Sequence, residues 1–456
     1  MTNDKGTVST LFNGVRNSQL LSIILVGFLV LLLQIPVKMI DSVVGERASR
    51  RQEAVNEVAS KWGEQQNVAG PMLTVPYLLR YTEPDKDGVP RPRTRQQYAT
   101  FLPDDLHISA DVNGSVRYRG IFKVPLYTTA VDITGRFARP DFSEWGVLAE
   151  DILWDRAQLT LRISDARAIT NAVTLQWNDS KVAFLPGVGE FGGGQTGIHA
   201  PMKGCLSSDS FTFSCRLNLN GSGGIYFAPF GRQTTVQIAS NWSDPSFQGN
   251  WLPAERTIGP DGFKATWNIP FLGRNYPQQW RAATDVDRAL SESAFGVAFI
   301  APVDEYRMVE RSVKYEVLFL SLTFLVLWLF ERLRRMRIHS VQYLLVGAGL
   351  CVFYLLELSL AEHIGFTAAY ACASLAVTAL VFVYCVFVLG GHRSALIMAG
   401  VLLLLYGYLY IVLMNQDYAL LIGSICLFVA VAVVMWITRK IDWYSPREAP
   451  PGDVAR

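Results

Sequence analysis

Apolar residues pool in long runs at the two ends of this chain and nowhere between. The first run is Leu20 to Leu33, extended by Ile35, Val37 and Ile40. Five more crowd the C-terminal third, at about 314–330, 341–360, 366–389, 394–414 and 418–437. A helix needs roughly 20 apolar residues to cross about 30 Å of hydrocarbon, and it is the only single segment that satisfies its own backbone groups there. Six spans are therefore expected, one N-terminal and five C-terminal. Gln34-Ile35-Pro36-Val37-Lys38 after the first run offers no small-residue cleavage site. Residues 18–40 therefore read as an uncleaved anchor.

Lys and Arg set the expected orientation. With the N-terminus in the cytoplasm, the inner segments hold Lys5 and Arg16, then Arg332, Arg334, Arg335 and Arg337, then Arg393, then Arg439, Lys440, Arg447 and Arg456. The short outer turns near 361–365 and 415–417 carry neither residue. Every short loop then obeys the positive-inside rule. The expected plan is a cytoplasmic head (1–17), an anchor (18–40), an exported β-rich domain with an N-terminal stalk helix (41–313), a five-span bundle (314–437) and a cytoplasmic tail (438–456). In a bacterium the exported part faces the periplasm. The predicted fold is a six-helix transmembrane bundle with a large β-rich domain inserted between spans one and two.

The exported segment carries 29 Lys plus Arg and 30 Asp plus Glu between Asp41 and Lys314. Balanced charge excludes an evident acidic-polymer partner, and the net +2 of the whole chain gives no basic excess for nucleic acid. Half of the chain is hydrophobic and only 18% charged, which excludes a disordered chain. From Glu46 to Trp62, Val55, Val58, Ala59 and Trp62 form a helical stripe, and Glu57 precedes Lys61 by four. This predicts a packed stalk or a partner-binding helix. After Pro71, short alternating runs such as His107–Val112, Phe211–Leu219 and Thr234–Ser240 are separated by Gly, Pro, Asn and Asp. Asn113-Gly114 and Asn220-Gly221 are hairpin-turn signals. The reading is all-β, a sandwich or stacked sheets. The stretch Gly120–Phe142 echoes Gly224–Phe247 in the order of its turn and apolar positions, which suggests two related β units.

Catalytic signals are sparse. The histidines (His107, His199, His339, His363 and His392) form no HExxH and no ligand spacing with Cys. Walker and GxSxG sequences are missing, and Gly192-Gly193-Gly194 reads as a flexible loop. No catalytic residue, metal ligand or cofactor is expected. Cys351, Cys372, Cys385 and Cys426 fall in predicted spans as small hydrophobes. Cys205 and Cys215 stand alone in the exported part, where an oxidising compartment predicts a disulfide between them. Polar groups intrude on lipid at Glu357 and at Glu362-His363, near the outer end of span three. Intramembrane ionisable residues are costly and suggest function, here a proton relay or a headgroup or cation site. The simpler reading places Glu362 and His363 in the headgroup layer. Ala369 and Ala373 give small-xxx-small spacing for close helix packing, and Tyr406, Tyr408 and Tyr410 lie unusually deep.

An ordered set of motifs runs along the chain. It includes Glu46-Arg47, Trp62-Gly63, Ala69-Gly70-Pro71, Leu102-Pro103, Arg119-Gly120-Ile121-Phe122 and Ser164-Asp165-Ala166-Arg167. Further on come Gly197-Ile198-His199-Ala200, Pro245-Ser246-Phe247-Gln248-Gly249, Tyr306, Lys314-Tyr315, Glu362-His363-Ile364-Gly365-Phe366 and Ala369-Tyr370. In these the chain resembles the CreD inner-membrane protein family over essentially its whole length. The resemblance implies an inner-membrane protein linked to a two-component envelope or carbon-source response and to β-lactam and colicin tolerance. It implies no enzyme activity, cofactor or site residue. The expected function is thus a non-enzymatic envelope factor whose exported domain binds or senses a wall, lipid or protein component. A transporter or lipid-handling protein using Glu357, Glu362 and His363 is the alternative.

Overall fold

The computed structural model describes residues 19–439 apart from residues 88, 191–193, 282–285, 300–304, 335, 337 and 416. The expected head (1–17), residues 440–456 of the expected tail, Arg335, Arg337 and the first two glycines of the 192–194 loop lie outside the described residues. The chain divides into two compact units, Met1–Arg50 with Val303–Arg456 and Arg51–Pro302.

Helix α1 (Gln19–Trp62) runs without a break through the predicted anchor and the predicted stalk, with Pro36 inside it. Two helices were expected here. The linking residues 41–45 contain no proline, and a lone glycine such as Gly45 costs a helix only about 1 kcal/mol. Helix α1 stops at Gly63, whose φ of +146° a side chain resists. A Cβ there would also come within 2.7 Å of the Asn220 carbonyl oxygen.

The second unit is all-β apart from the end of α1, short helical turns and α2 (Val286–Glu292). Its strands are β1 (Gln66–Pro84), β2 (Pro90–Phe101), β3 (Asp105–Arg119), β4 (Phe122–Ala138), β5 (Gln158–Ile163), β6 (Thr174–Trp177), β7 (Ser180–Ala183), β8 (Leu185–Pro186), β9 (Gly197–Pro201), β10 (Ser210–Ser222), β11 (Gly224–Phe227), β12 (Gln233–Ser240), β13 (Pro245–Gly249), β14 (Glu255–Gly259), β15 (Gly262–Pro270), β16 (Gln279–Arg281) and β17 (Phe295–Phe299). One sheet runs β13-β17-β11-β1-β5-β9-β8, with β2 on β1 and β16 on β2. The other runs β14-β15-β12-β3-β4-β10-β6-β7.

Side-chain period explains the layering. In β3, Leu106, Ile108, Ala110 and Val112 are buried while His107, Ser109 and Asp111 are exposed. Strands β10 and β15 alternate the same way, with Phe211, Phe213, Cys215, Leu217 and Leu219 inward on one and Phe263, Ala265, Trp267 and Ile269 on the other. Each strand thus gives one face to the core, as a half-buried sheet requires. The facing sheet supplies Leu73, Val75, Leu159, Leu161, Phe227 and Val297, and all join one core cluster. Tyr127 on β4 meets Phe299 on β17 at 5.1 Å, and Trp267 on β15 meets Phe295 at 5.6 Å. The end of α1 packs on this body: Trp62 Nε1 donates to the Tyr127 carbonyl oxygen at 3.2 Å, and the Arg117 guanidinium lies over the Trp62 ring.

Three expectations are corrected here. Asn113-Gly114 and Asn220-Gly221 lie inside β3 and β10, not in turns. Their glycines make room for rings: a Cβ on Gly114 would sit 2.8 Å from Trp242, and one on Gly221 would sit 2.2 Å from Tyr127. The β3–β4 hairpin turns instead at Gly120, with φ +61°. The echo between 120–142 and 224–247 does not give equivalent elements, since β4 is one long strand while β11 and β12 lie in different sheets. Cys205 and Cys215 are free thiols, not a disulfide. Cys215 points into the core from the middle of β10, opposite Ile133 and Leu175. Cys205 lies in the turn after β9, where its thiol donates to the Lys203 carbonyl at 3.4 Å and its own carbonyl accepts from Trp177 Nε1.

The first unit holds the amphipathic α3 (Glu305–Lys314) and five apolar helices after it. These are α4 (Glu316–Leu333), α5 (Ser340–Ile364), α6 (Phe366–Val388), α7 (His392–Met414) and α8 (Ala419–Thr438). Helices α1, α5, α6, α7 and α8 are each long and apolar enough to cross a membrane. Helix α4 reaches that standard together with α3, from which it is bent by 46°. The six-span expectation is met with this broken element as its second member. Gly347 lets α1, α4 and α5 close up, because a Cβ there would meet Leu33 at 2.2 Å and Phe324 at 2.7 Å. Ala369 and Ala373 on α6 are fully buried, while α8 buries no residue.

Candidate functional site

Glu362 joins three helices of the bundle through its carboxylate. Its carboxylate accepts from Arg47 Nε at 2.7 Å and Nη2 at 2.5 Å, and from the Tyr306 hydroxyl at 2.7 Å. The planar guanidinium fork fits a carboxylate with two parallel bonds. One acid near the end of α5 thereby ties down α1 and α3. At the other end of α5, Tyr343 donates to Glu331 of α4 at 3.1 Å. Gly365, with φ +79°, then ends the helix, its N–H bonded to the Ala361 carbonyl.

Glu357 behaves differently. It lies seven residues before the end of α5, about 10 Å along the axis, and is completely buried. The Ser312 hydroxyl of α3 lies beside its carboxyl as a hydrogen-bonding group. The hydroxyls of Tyr354 and Tyr406 are also buried, and they have no hydrogen-bond partner. Around them the rings interlock: Tyr406 packs on Phe353 at 4.6 Å and on Phe319 at 4.5 Å, and Tyr370 donates to the Tyr406 carbonyl at 2.7 Å. The Tyr408 hydroxyl donates to the Ile422 carbonyl at 3.5 Å and the Tyr410 hydroxyl to Thr367 at 3.4 Å.

The three expected polar residues are thus separated. Glu362 pairs with Arg47, His363 is exposed beside it, and Glu357 faces inward towards Ser312. The reason is helical phase, since residues one and five apart do not share a face. Sequence reading did not bring Arg47, Tyr306, Ser312 or Tyr354 to the site. The available signal was weak: Arg47 and Tyr306 sit in motifs of the family, but nothing local links them to Glu362. Among the described residues no three His, Cys, Asp or Glu side chains gather to hold a metal ion.

In the β unit the buried polar groups hold the frame. Arg274 Nη1 donates to the carbonyls of Pro229, Phe230 and Gly231, and its Nη2 donates to Gln278. Burial lowers its pKa. Asp165 accepts from Arg167 Nε at 2.9 Å and from the Arg167 and Glu64 backbone N–H groups. The Arg167 side chain, more than any other group, holds the Asp165 carboxyl below its ordinary value.

Spanning helices on both sides of a two-sheet domain define a multi-pass membrane protein with a large β-rich insert. A family model described as Inner membrane protein CreD matches residues 18–444. Inner membrane protein CreD of Escherichia coli (strain K12) is 34% identical over 417 residues, covering 91% of this chain and 92% of that protein. The chain belongs to the CreD family of inner membrane proteins.

Proposed function

We propose that this protein is a non-enzymatic factor of the bacterial cell envelope, which binds or senses an envelope component through its β-rich domain and contributes to envelope integrity under β-lactam or colicin stress. The β domain faces the periplasm and both termini face the cytoplasm. The observation that carries this reading is the β unit itself. Residues Arg51–Pro302 form a two-sheet body with one continuous core of their own. Its exposed surface includes the apolar residues Tyr118, Leu252 and Leu272, the last 83% exposed. Placement of Lys and Arg at the short loops supports the orientation. The bilayer is one partner; a wall, lipid or protein component is the other.

The test uses the full chain in living cells. Reporter fusions should place residue 200 outside and Arg334 inside. Photo-crosslinkers at positions 118, 252 and 272 should capture an envelope component. Residue 200 on the same side as Arg334, or crosslinks that never leave the chain, would sink the proposal.

A further inference from the structure

We infer that the bundle carries a proton-binding site at Glu357, beside the break between α3 and α4. This goes beyond an envelope-binding role for the β domain and does not depend on it.

The geometry poses a problem of charge. Glu357 is fully buried, and the group beside its carboxyl is a neutral hydroxyl, that of Ser312, not a cation. Three cations of α1 and α3 are committed elsewhere. Arg311 donates to the Leu413 and Val412 carbonyls at 3.0 and 3.3 Å, Lys314 pairs with Glu310 at 2.7 Å, and Arg47 pairs with Glu362. The other ionisable groups that face this region are acids: Glu316 on α4, Tyr354 and Cys351 on α5, Tyr370 on α6 and Tyr406 on α7. A buried carboxylate with no counter-charge beside it is an arrangement proteins avoid by neutralising the group.

A proton meets the need with the fewest parts. Binding converts the carboxylate into a neutral acid, with no other bond made or broken. The acid then offers one donor and one carbonyl acceptor. Hydroxyls can accept the one and satisfy the other; that of Ser312 is beside the carboxyl, and those of Tyr354 and Tyr406 are buried without partners. The surrounding backbone favours the same use. Helices α3 and α4 meet at a 46° bend at Tyr315, between Ser312 and Glu316. Interrupted helices beside buried acids are where membrane proteins place ion sites. A sodium ion would require several oxygen ligands converging on one point, which one carboxyl and scattered hydroxyls do not provide.

The full-length protein in lipid nanodiscs tests this by infrared spectroscopy. At pH 7 the carbonyl band of a neutral carboxylic acid should be present, lost in Glu357→Gln and retained in Glu362→Gln. Should Glu357→Gln misfold, the wild-type protein gives a second measurement. Dicyclohexylcarbodiimide, which attacks protonated carboxyls in apolar surroundings, should form an adduct that peptide mapping places on Glu357. Labelling should fall as pH rises and should ignore added sodium. A neutral-acid band indifferent to Glu357→Gln in folded protein would overturn the inference. So would a band or labelling that sodium abolishes at fixed pH, which would reassign the site to a metal cation.

Discussion

Arg47→Ala should loosen the bundle more than any exposed charge removal would. The wild-type pair is bidentate, at 2.7 and 2.5 Å, and the Glu362 side chain is only 10% exposed against 30% for Arg47. Each charge-assisted bond contributes about 1.5–3 kcal/mol when well shielded, and loss of one partner from a buried pair costs about 3–5 kcal/mol. Partial exposure of Arg47 pulls the expected loss to about 2–3 kcal/mol. For a unit of this size each kcal/mol moves the midpoint by about 2–4 °C, so thermal unfolding of the full chain in detergent should shift by about 4–12 °C. The decisive assay is the double-mutant cycle. Arg47→Ala and Glu362→Ala should be non-additive by about 2 kcal/mol, and Tyr306→Phe should cost about 1 kcal/mol. Additivity within about 0.5 kcal/mol would show that the pair does not hold α1 to α5.

Two further outcomes concern the β domain. Burial pushes the Cys215 thiol up to about 12 and raises that of Cys205 as well. Maleimide at neutral pH should therefore modify half-exposed Cys205 and spare Cys215 until the chain is unfolded; recovery of a linked Cys205–Cys215 peptide without reductant would contradict the free thiols. Asp165→Asn should destabilise the domain by about 1 kcal/mol at neutral pH, a small value because Arg167 is largely exposed. The folded pKa of Asp165 lies below its unfolded value of about 3.9. Its contribution is thus complete above that value and disappears as pH falls through the folded pKa. Acid unfolding curves of wild type and variant should converge there, and a gap that widens in acid would refute the assignment.

Much of this architecture was legible because its signals are local. An apolar run long enough to span hydrocarbon needs no partner to be recognised, and neither does the alternation of Leu106, Ile108, Ala110 and Val112 along β3. Local signals also misled. Asn-Gly favours a tight turn only where the chain is free to turn; at 113–114 and 220–221 the glycine is used for the space it leaves to Trp242 and Tyr127. Cys205 and Cys215 are close in sequence, yet strand pairing turns one into the core while the other stays in a turn.

Hydropathy and charge patterning along the chain were enough to determine the order of its parts: an anchor, a β-rich insert and a helical bundle of the CreD family. Which polar groups meet was decided only by folding. Arg47 and Glu362 lie 315 positions apart, and no short-range periodicity connects residues so distant. Glu357 likewise appears in sequence as one more acid in a greasy helix. Only the packed helices, by surrounding it and engaging Arg47, Arg311 and Lys314 elsewhere, leave it buried with a hydroxyl and no cation beside it.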